Sequence, residues 1–244
     1  MKVNILGVLI DNLTQSQALE KLEGYLTSVG KHYVVTPNPE MVVMSQKDLE
    51  FKKILNGADI AIPDGFGLIW AARILGLDLS CRVAGTDVVE KVCQKSAARG
   101  FKIFFLGAKE GVAERAKKRL EAKYPGVKII GTLSGNPELA ADYQTQTIIN
   151  QCGQIDFLMV AFGAPYQEKW IQRNLSKLKV KVAIGVGGAL DYLAGDKKRP
   201  PFWIRKMGFE WFFRLLSEPW RFKRQLRLPY FIFLVLKEKM SHMV

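Results

Sequence analysis

The sequence predicts an α/β domain, a mostly parallel sheet flanked by helices in a Rossmann-like arrangement, with a C-terminal helical appendage. Strand-like and helix-like patterns alternate through residues 1–195, as they do in chains that build parallel sheets from βαβ units. Apolar runs such as Phe157-Leu158-Met159-Val160-Ala161 are continuous rather than alternating, which indicates strands covered on both faces by helices. The character then changes after Gly195-Asp196-Lys197-Lys198-Arg199-Pro200-Pro201, where the two prolines end any preceding helix. This places a boundary between an α/β domain, 1–195, and a basic, aromatic appendage, 196–244.

Lys2 to Ile10 reads as a first strand, and Thr14-Gln15-Ser16-Gln17 as a capping box opening a helix to about Ser28. His32 to Val35 is a short strand ending in Thr36-Pro37-Asn38-Pro39, followed by helical segments from Glu40 to Gln46 and Leu49 to Leu55. Asp59 to Ile62 is a strand, and Leu68 to Leu75 a helix after the turn Pro63-Asp64-Gly65. Arg82 to Asp87 is a loop, with Thr86 or Asp87 as N-cap of a helix reaching about Arg99. Phe101 to Leu106, Val127 to Thr132, Asp156 to Phe162 and Lys181 to Val186 are strands. Between them lie helices over Glu110 to Lys123, Pro137 to Gln151 and Tyr166 to Leu175.

Composition narrows the class. An apolar content of 48% in 244 residues suffices for a large core and excludes a disordered chain. Cys81, Cys93 and Cys152 show no C-x-x-C spacing, and His32 and His242 are the only histidines, so no metal cluster is expected and the cysteines read as free thiols in a reducing cytoplasm. Asp11 and Asn12 follow the first apolar stretch where a signal peptide would carry small residues, and that stretch reads as a strand. No run approaches the roughly 18 apolar residues of a spanning helix.

The net charge of +13 is uneven: residues 197–244 hold 12 Lys and Arg against 3 acidic residues, and 11 of the 26 aromatics. In the appendage, Ile204, Met207, Trp211 and Leu215 line one helical face, with Phe209, Phe213 and Leu216 on a second. Arg221, Lys223, Arg224 and Arg227 alternate with Trp220, Phe222 and Leu226, a pattern suited to an anionic membrane surface. A helix packed on the core with a solvated basic face is the plainer account of the same residues. Nucleic acid is disfavoured, since no recognisable binding module is present.

Asp64 sits where strand passes to helix, at the sheet edge where open α/β folds bind ligands. Its carboxylate is expected to face the free N–H groups of the helix that follows, which favour the ionised form and suit a general base. A simple Pro-Asp-Gly turn accounts for the same residue types. Three glycine-containing turns follow strands, at Gly107, at Gly163 and at Gly187-Gly188 with Asp191 beyond, and such turns let backbone approach a phosphate. The G-x-G-x-x-G and P-loop patterns are absent, as is a D-x-D pair for a metal-held diphosphate. Arg82 and the arginines of the appendage are the cations left to neutralise a leaving diphosphate.

Taken together, Asn4-Ile5-Leu6-Gly7-Val8 with Asp11-Asn12-Leu13-Thr14, Thr36-Pro37-Asn38, Ile62-Pro63-Asp64-Gly65, Arg82-Val83-Ala84-Gly85-Thr86-Asp87, Phe162-Gly163-Ala164-Pro165-Tyr166-Gln167-Glu168-Lys169-Trp170 and Gly185-Val186-Gly187-Gly188 resemble the WecG/TagA/CpsF family of bacterial glycosyltransferases. The resemblance covers residues 1 to about 200, and the tail is most similar to that of the TagA-type N-acetylmannosaminyltransferases of wall teichoic acid linkage-unit synthesis. It implies an inverting, metal-independent hexosyltransferase without a cofactor. The donor would be UDP-N-acetylmannosamine and the acceptor undecaprenyl-diphosphate-linked GlcNAc, met at the inner face of the cell membrane by a peripheral protein. In that scheme Asp64 is the base, Arg82 offsets charge near the diphosphate, Thr36 and Asn38 hold the sugars, and Gln167 bonds donor or acceptor. Gly187, Gly188 and Asp191 would serve the nucleotide, Gly107 would line the substrate site, and Arg214 and Arg221 would reach over it from the appendage. Another UDP-sugar, such as the uronic acid of N-acetylmannosamine, and a non-catalytic nucleotide-sugar-binding membrane adaptor are the competing expectations; a homo-oligomer is compatible with either.

Overall fold

The computed structural model describes residues 1–79, 81–219 and 222–241, with the side chains of Lys206, Arg214 and Lys223 excepted. Its centre is a six-stranded sheet of order β4-β3-β8-β7-β5-β6, every pair parallel. The strands are β3 (His32–Val35), β4 (Ile60–Ala61), β5 (Lys102–Gly107), β6 (Lys128–Leu133), β7 (Ile155–Ala161) and β8 (Val180–Gly185). The α/β class with C-terminal helices is thus what the chain forms.

Successive strand residues point to opposite faces and sort the core into layers. Val34, Ile60, Ile62 and Ile184 pack with α1 (Gln15–Thr27), α5 (Gly85–Arg99), α6 (Val112–Lys123) and α9 (Ala189–Ala194). Val35 and Ala61 face the other way, onto α2 (Pro39–Ser45), α3 (Leu49–Asn56) and α4 (Phe66–Leu75). On that same face α7 (Asp142–Gln151) and α8 (Tyr166–Asn174) cover Phe104, Leu158 and Ala183. The capping box at Thr14 is present: its side chain accepts from the Gln17 N–H while the Gln17 side chain takes the Thr14 N–H.

Three local expectations are corrected. Lys2 to Ile10 is not one strand of the main sheet but an antiparallel hairpin, β1 (Lys2–Ile5) and β2 (Val8–Asp11). Its turn, Leu6 and Gly7 at φ 54° and 79°, has the two positive φ values that suit the twist of a tight hairpin. Asp11 then accepts the Ala61 N–H at 2.9 Å, so the hairpin covers the open edge of β4. Helix α5 starts at Gly85, ahead of Thr86 and Asp87, and its N-cap residue Ala84 gives no side-chain bond. In the tail, the two apolar stripes read as faces of one helix belong to two helices, α10 (Phe202–Lys206) and α11 (Glu210–Ser217). Gly208 separates them at φ 82°, and a Cβ there would lie 3.0 Å from the Phe66 ring, so only glycine suits both the conformation and the contact.

After α12 (Phe222–Gln225) comes α13 (Arg227–Ser241), which packs on α2 and α4. Phe231 and Val235 of α13 are buried in the same core cluster as Leu68 and Val42. The last helix is therefore built into the domain, whatever the helices before it do. Replacing Phe231 with Ala is expected to destabilise the protein by about 3–5 kcal/mol. Urea unfolding checks this, and a loss below about 1 kcal/mol would mean that α13 contributes little to the core.

Candidate active site

All six strands end on one edge, and there the chain leaves β3 toward α2 on one face and β8 toward α9 on the other. Such a divergence opens a crevice at the carboxyl ends of the strands. Thr36, 6% exposed, spans it by donating its hydroxyl to the Gly185 carbonyl at 3.0 Å. Asp64 lies beyond the end of β4, where its N–H is held by the Pro37 carbonyl at 2.8 Å. The Pro63 carbonyl in turn accepts from Val83 at 2.8 Å, which brings Arg82 and the start of α5 alongside.

The Asp64 carboxylate does not cap the helix that follows it. Helix α4 begins after Gly65 with no side-chain cap, whereas Oδ2 of Asp64 accepts the Gly85 N–H, the first of α5, at 3.4 Å. A carboxylate from another loop thus occupies the place that Ala84 cannot fill, and the N-terminal field of a 15-residue helix favours its ionised form. Gly85 sits between Asp64 and Thr36: a Cβ on it would lie 3.7 Å from Asp64 Oδ2 and 3.5 Å from the Thr36 methyl group.

Arg82 reaches both sides of this point. Its Nη2 is 3.5 Å from Asp64 Oδ1 and 2.6 Å from Glu210 Oε2, its guanidinium lies 5.5 Å from the Phe66 ring centroid, and its buried Nε has no hydrogen-bond partner among the described residues. Burial works against its charge, but Asp64 and Glu210, with Asp87, outweigh that and hold the guanidinium above its ordinary value. Sequence reasoning missed Glu210. It looked to the arginines of the tail, yet the residue that α11 brings to Arg82 is a glutamate. Arg214 lies within α11, with its side chain outside the described atoms, and Arg221 lies outside the described residues. Arg224 pairs instead with Glu40 at 2.6 Å.

The other expected residues divide. Asn38 is the N-cap of α2, its Oδ1 accepting from Met41 at 3.0 Å, close behind Gly65. Gln167, 2% exposed, is turned to the backbone: its Oε1 accepts the N–H groups of Gly163 at 3.1 Å and Gly187 at 2.9 Å, and its Nε2 donates to Glu168 at 2.7 Å. It binds two loops to each other, where a direct contact with donor or acceptor was expected. Gly107 is required by packing, because a Cβ there would come within 2.7 Å of the Ala161 carbonyl carbon. Gly187 at φ 52° and Gly188 carry the chain into α9, and Asp191 faces Lys197 at 3.6 Å; Lys197 also pairs with Glu218 of the tail at 3.0 Å. Among the described residues no three His, Cys, Asp or Glu side chains converge as metal ligands.

Glu168 was passed over in the sequence, where it reads as one more charge on a helix. It is 0% exposed, its Oε2 has no partner among the described residues, and burial pushes its carboxyl up to about 7 against the pull of the Gln167 bond. An acid whose folded value is raised stabilises the fold below its unfolded value, near 4.5, and loses that contribution as pH rises through about 7. Relative to Glu168→Gln, the wild-type protein is therefore expected to lose on the order of 3 kcal/mol between pH 4.5 and 8. Urea unfolding of both proteins at the two pH values measures this, and a constant difference would show that Glu168 does not titrate in the folded state.

The sequence model of the glycosyl transferase WecG/TagA/CpsF family matches residues 3–244. An N-acetylglucosaminyldiphosphoundecaprenol N-acetyl-beta-D-mannosaminyltransferase of Bacillus subtilis (strain 168) is 32% identical over 229 residues, 89% of this chain and 87% of that protein. A protein of the same name from Staphylococcus aureus (strain MRSA252) is 31% identical over 242 residues, 98% of this chain and 93% of its own length. With a parallel α/β sheet, a carboxylate and an arginine at its carboxyl edge and similarity over nearly its whole length, the chain belongs to the WecG/TagA/CpsF family of glycosyl transferases.

Proposed function

We propose that the protein transfers N-acetylmannosamine from a UDP donor to the GlcNAc of an undecaprenyl-diphosphate-linked acceptor, with inversion and without a metal, at a membrane surface. The observation that carries the reading is Asp64, held at the N-terminus of α5 with Arg82 3.5 Å away, in a chain whose relatives are named as N-acetylglucosaminyldiphosphoundecaprenol N-acetyl-beta-D-mannosaminyltransferases. Asp64 takes the proton of the acceptor hydroxyl as that oxygen attacks the anomeric carbon. The bond from that carbon to the β-phosphate oxygen breaks, and the electron pair leaves with UDP. Attack opposite the leaving group inverts the centre. Arg82 neutralises the charge that develops on the diphosphate, after exchanging Glu210 for phosphate oxygens. Thr36 lies beside Asp64 and borders the sugar.

The tail supports the membrane location. Phe202, Trp203, Met207, Trp211, Phe212 and Leu216 are exposed on α10, α11 and the turn between them, in a segment rich in Lys and Arg. Among the described residues no helix is long and apolar enough to cross a membrane. The proposed state is peripheral, on the cytoplasmic face where a UDP-sugar donor is available.

With the full-length protein, UDP-N-acetylmannosamine and a lipid-diphosphate-GlcNAc analogue, UDP release is expected, unaffected by chelator, and slower with other UDP-sugars. Asp64→Asn should lower kcat by about 100- to 10,000-fold with little change in KM. Absence of release with every donor tried would overturn the enzymatic reading, and loss of release on chelation would overturn metal independence. Replacing Trp203 and Phe212 with Ser should weaken binding to anionic vesicles by about tenfold or more in a sedimentation assay. Binding at the wild-type level would remove the tail's proposed role.

A further inference from the structure

A fully buried carboxyl group with no cation beside it is costly, and among the described residues Glu168 is one: Lys169 on the same helix turns outward to Asp48 and Glu50, and Arg173 to Asp142. Among the described residues, the elements packed on α8 supply no counter-charge either, and Lys177, in the turn that follows α8, is exposed. On β3, His32 pairs with Asp59 and Tyr33 donates to the Ile54 carbonyl; on β7, Asp156 accepts the Lys102 N–H; on β8, Lys181 reaches the Ser28 carbonyl. On α3, Glu50 binds Lys169, Lys52 lies 3.5 Å from the Gln46 side chain, and Lys53 is exposed. What Glu168 does touch is the Gln167 amide nitrogen, 2.7 Å away, and the backbone of Gly185, where a Cβ would come within 3.0 Å of its Oε1.

That contact decides how Gln167 is oriented. An amide side chain can present either its oxygen or its nitrogen to a neighbour, and the N–H groups of Gly163 and Gly187 need the oxygen. A carboxylate can only accept, so it takes the nitrogen and leaves the oxygen to the two glycines. Those glycines head the loops after β7 and β8, and the Gly185 carbonyl, two residues before Gly187, receives the Thr36 hydroxyl at 3.0 Å. One buried acid is thereby linked, through a glutamine, to the loops on both sides of the crevice.

We propose that Glu168 is a positioning residue: by accepting from Gln167 it fixes the Gly163 and Gly187 loops in the form that receives the diphosphate of a UDP-sugar. The assignment of the ligand rests on the function proposed above; the clamp itself does not. The ionised carboxylate accepts more strongly than the neutral acid, so the clamp tightens as pH rises through neutrality. A residue serving only to fill space would give no such dependence.

The test uses the full-length protein and UDP as the probe, by titration calorimetry at pH 6 and pH 8. Glu168→Gln, which admits either amide orientation, is expected to bind UDP about tenfold more weakly than wild type at pH 8 and within about twofold at pH 6. Phosphate protonation is common to both proteins and cancels in the ratio. In a Gln167→Met background, adding Glu168→Gln should change affinity no further, because the link is already cut. Equal affinities at pH 8, a ratio that does not change with pH, or full additivity of the two substitutions would each overturn the proposal. Hydrogen exchange at the Gly163 and Gly187 amides, expected to be faster in Glu168→Gln at pH 8, reads the clamp without ligand. If the wild-type protein fails to bind UDP while Glu168→Gln shows this faster exchange, the nucleotide-sugar reading is discarded and the clamp kept; unchanged exchange in Glu168→Gln discards the clamp.

Discussion

A helix of 15 residues whose N-cap is Ala84 has no side-chain oxygen there to receive its first N–H, that of Gly85, and the carboxylate of Asp64 supplies one from a loop 21 residues earlier. Much of the site follows from this. The bond draws the turn after β4 against the start of α5, and Arg82, three residues before Gly85, is carried to within reach of the same carboxylate. The helix field and the arginine both favour the anion, which is the state a base needs before it takes a proton. The structural role and the proposed chemical one thus fall on one side chain, since the carboxylate at the start of α5 also stands at the crevice.

The crevice is closed by backbone as much as by side chains. Thr36 ties β3 to β8, and Gln167 ties the loop after β7 to the loop after β8. Both bonds involve carbonyl or N–H groups that the sheet leaves unpaired where its strands end. The polar atoms of Gln167 are therefore bonded within the protein, to the two glycines and to Glu168. The carboxyl group that orients it lies deeper still, without solvent and without a cation, at a cost that a space-filling apolar residue would not carry.

The tail meets the domain through ion pairs of both senses: Arg199 pairs with Asp87 and Arg224 with Glu40, while Glu210 binds Arg82 as an acidic residue of a segment that is basic overall. Glu210 and Asp64 flank the guanidinium on two sides, and in the proposed reaction a diphosphate would exchange with the former. Docking of the tail and occupation of the arginine are in this way coupled by geometry, while the exposed rings of α10 and α11 face outward.

The sequence by itself determined the alternation of strands and helices, the parallel sheet buried on both faces, the capping box at Thr14, the break before the tail and the motif set that marks the family. All but the motif set, which runs from Asn4 to Gly188, are local and depend on periodicity, turn residues or spacing within about ten to twenty residues. The tertiary structure alone decided which helix end Asp64 faces, that Arg82 is met by a residue 128 positions away, that Gln167 looks inward, and that Glu168 is buried. It also turned the first strand into a hairpin and moved the start of α5 forward, because the groups that satisfy those backbones lie elsewhere in the chain. A charged residue on a helix carries no mark in its own neighbourhood of whether water or a glutamine will receive it. That is settled only when strands β3, β7 and β8 are side by side.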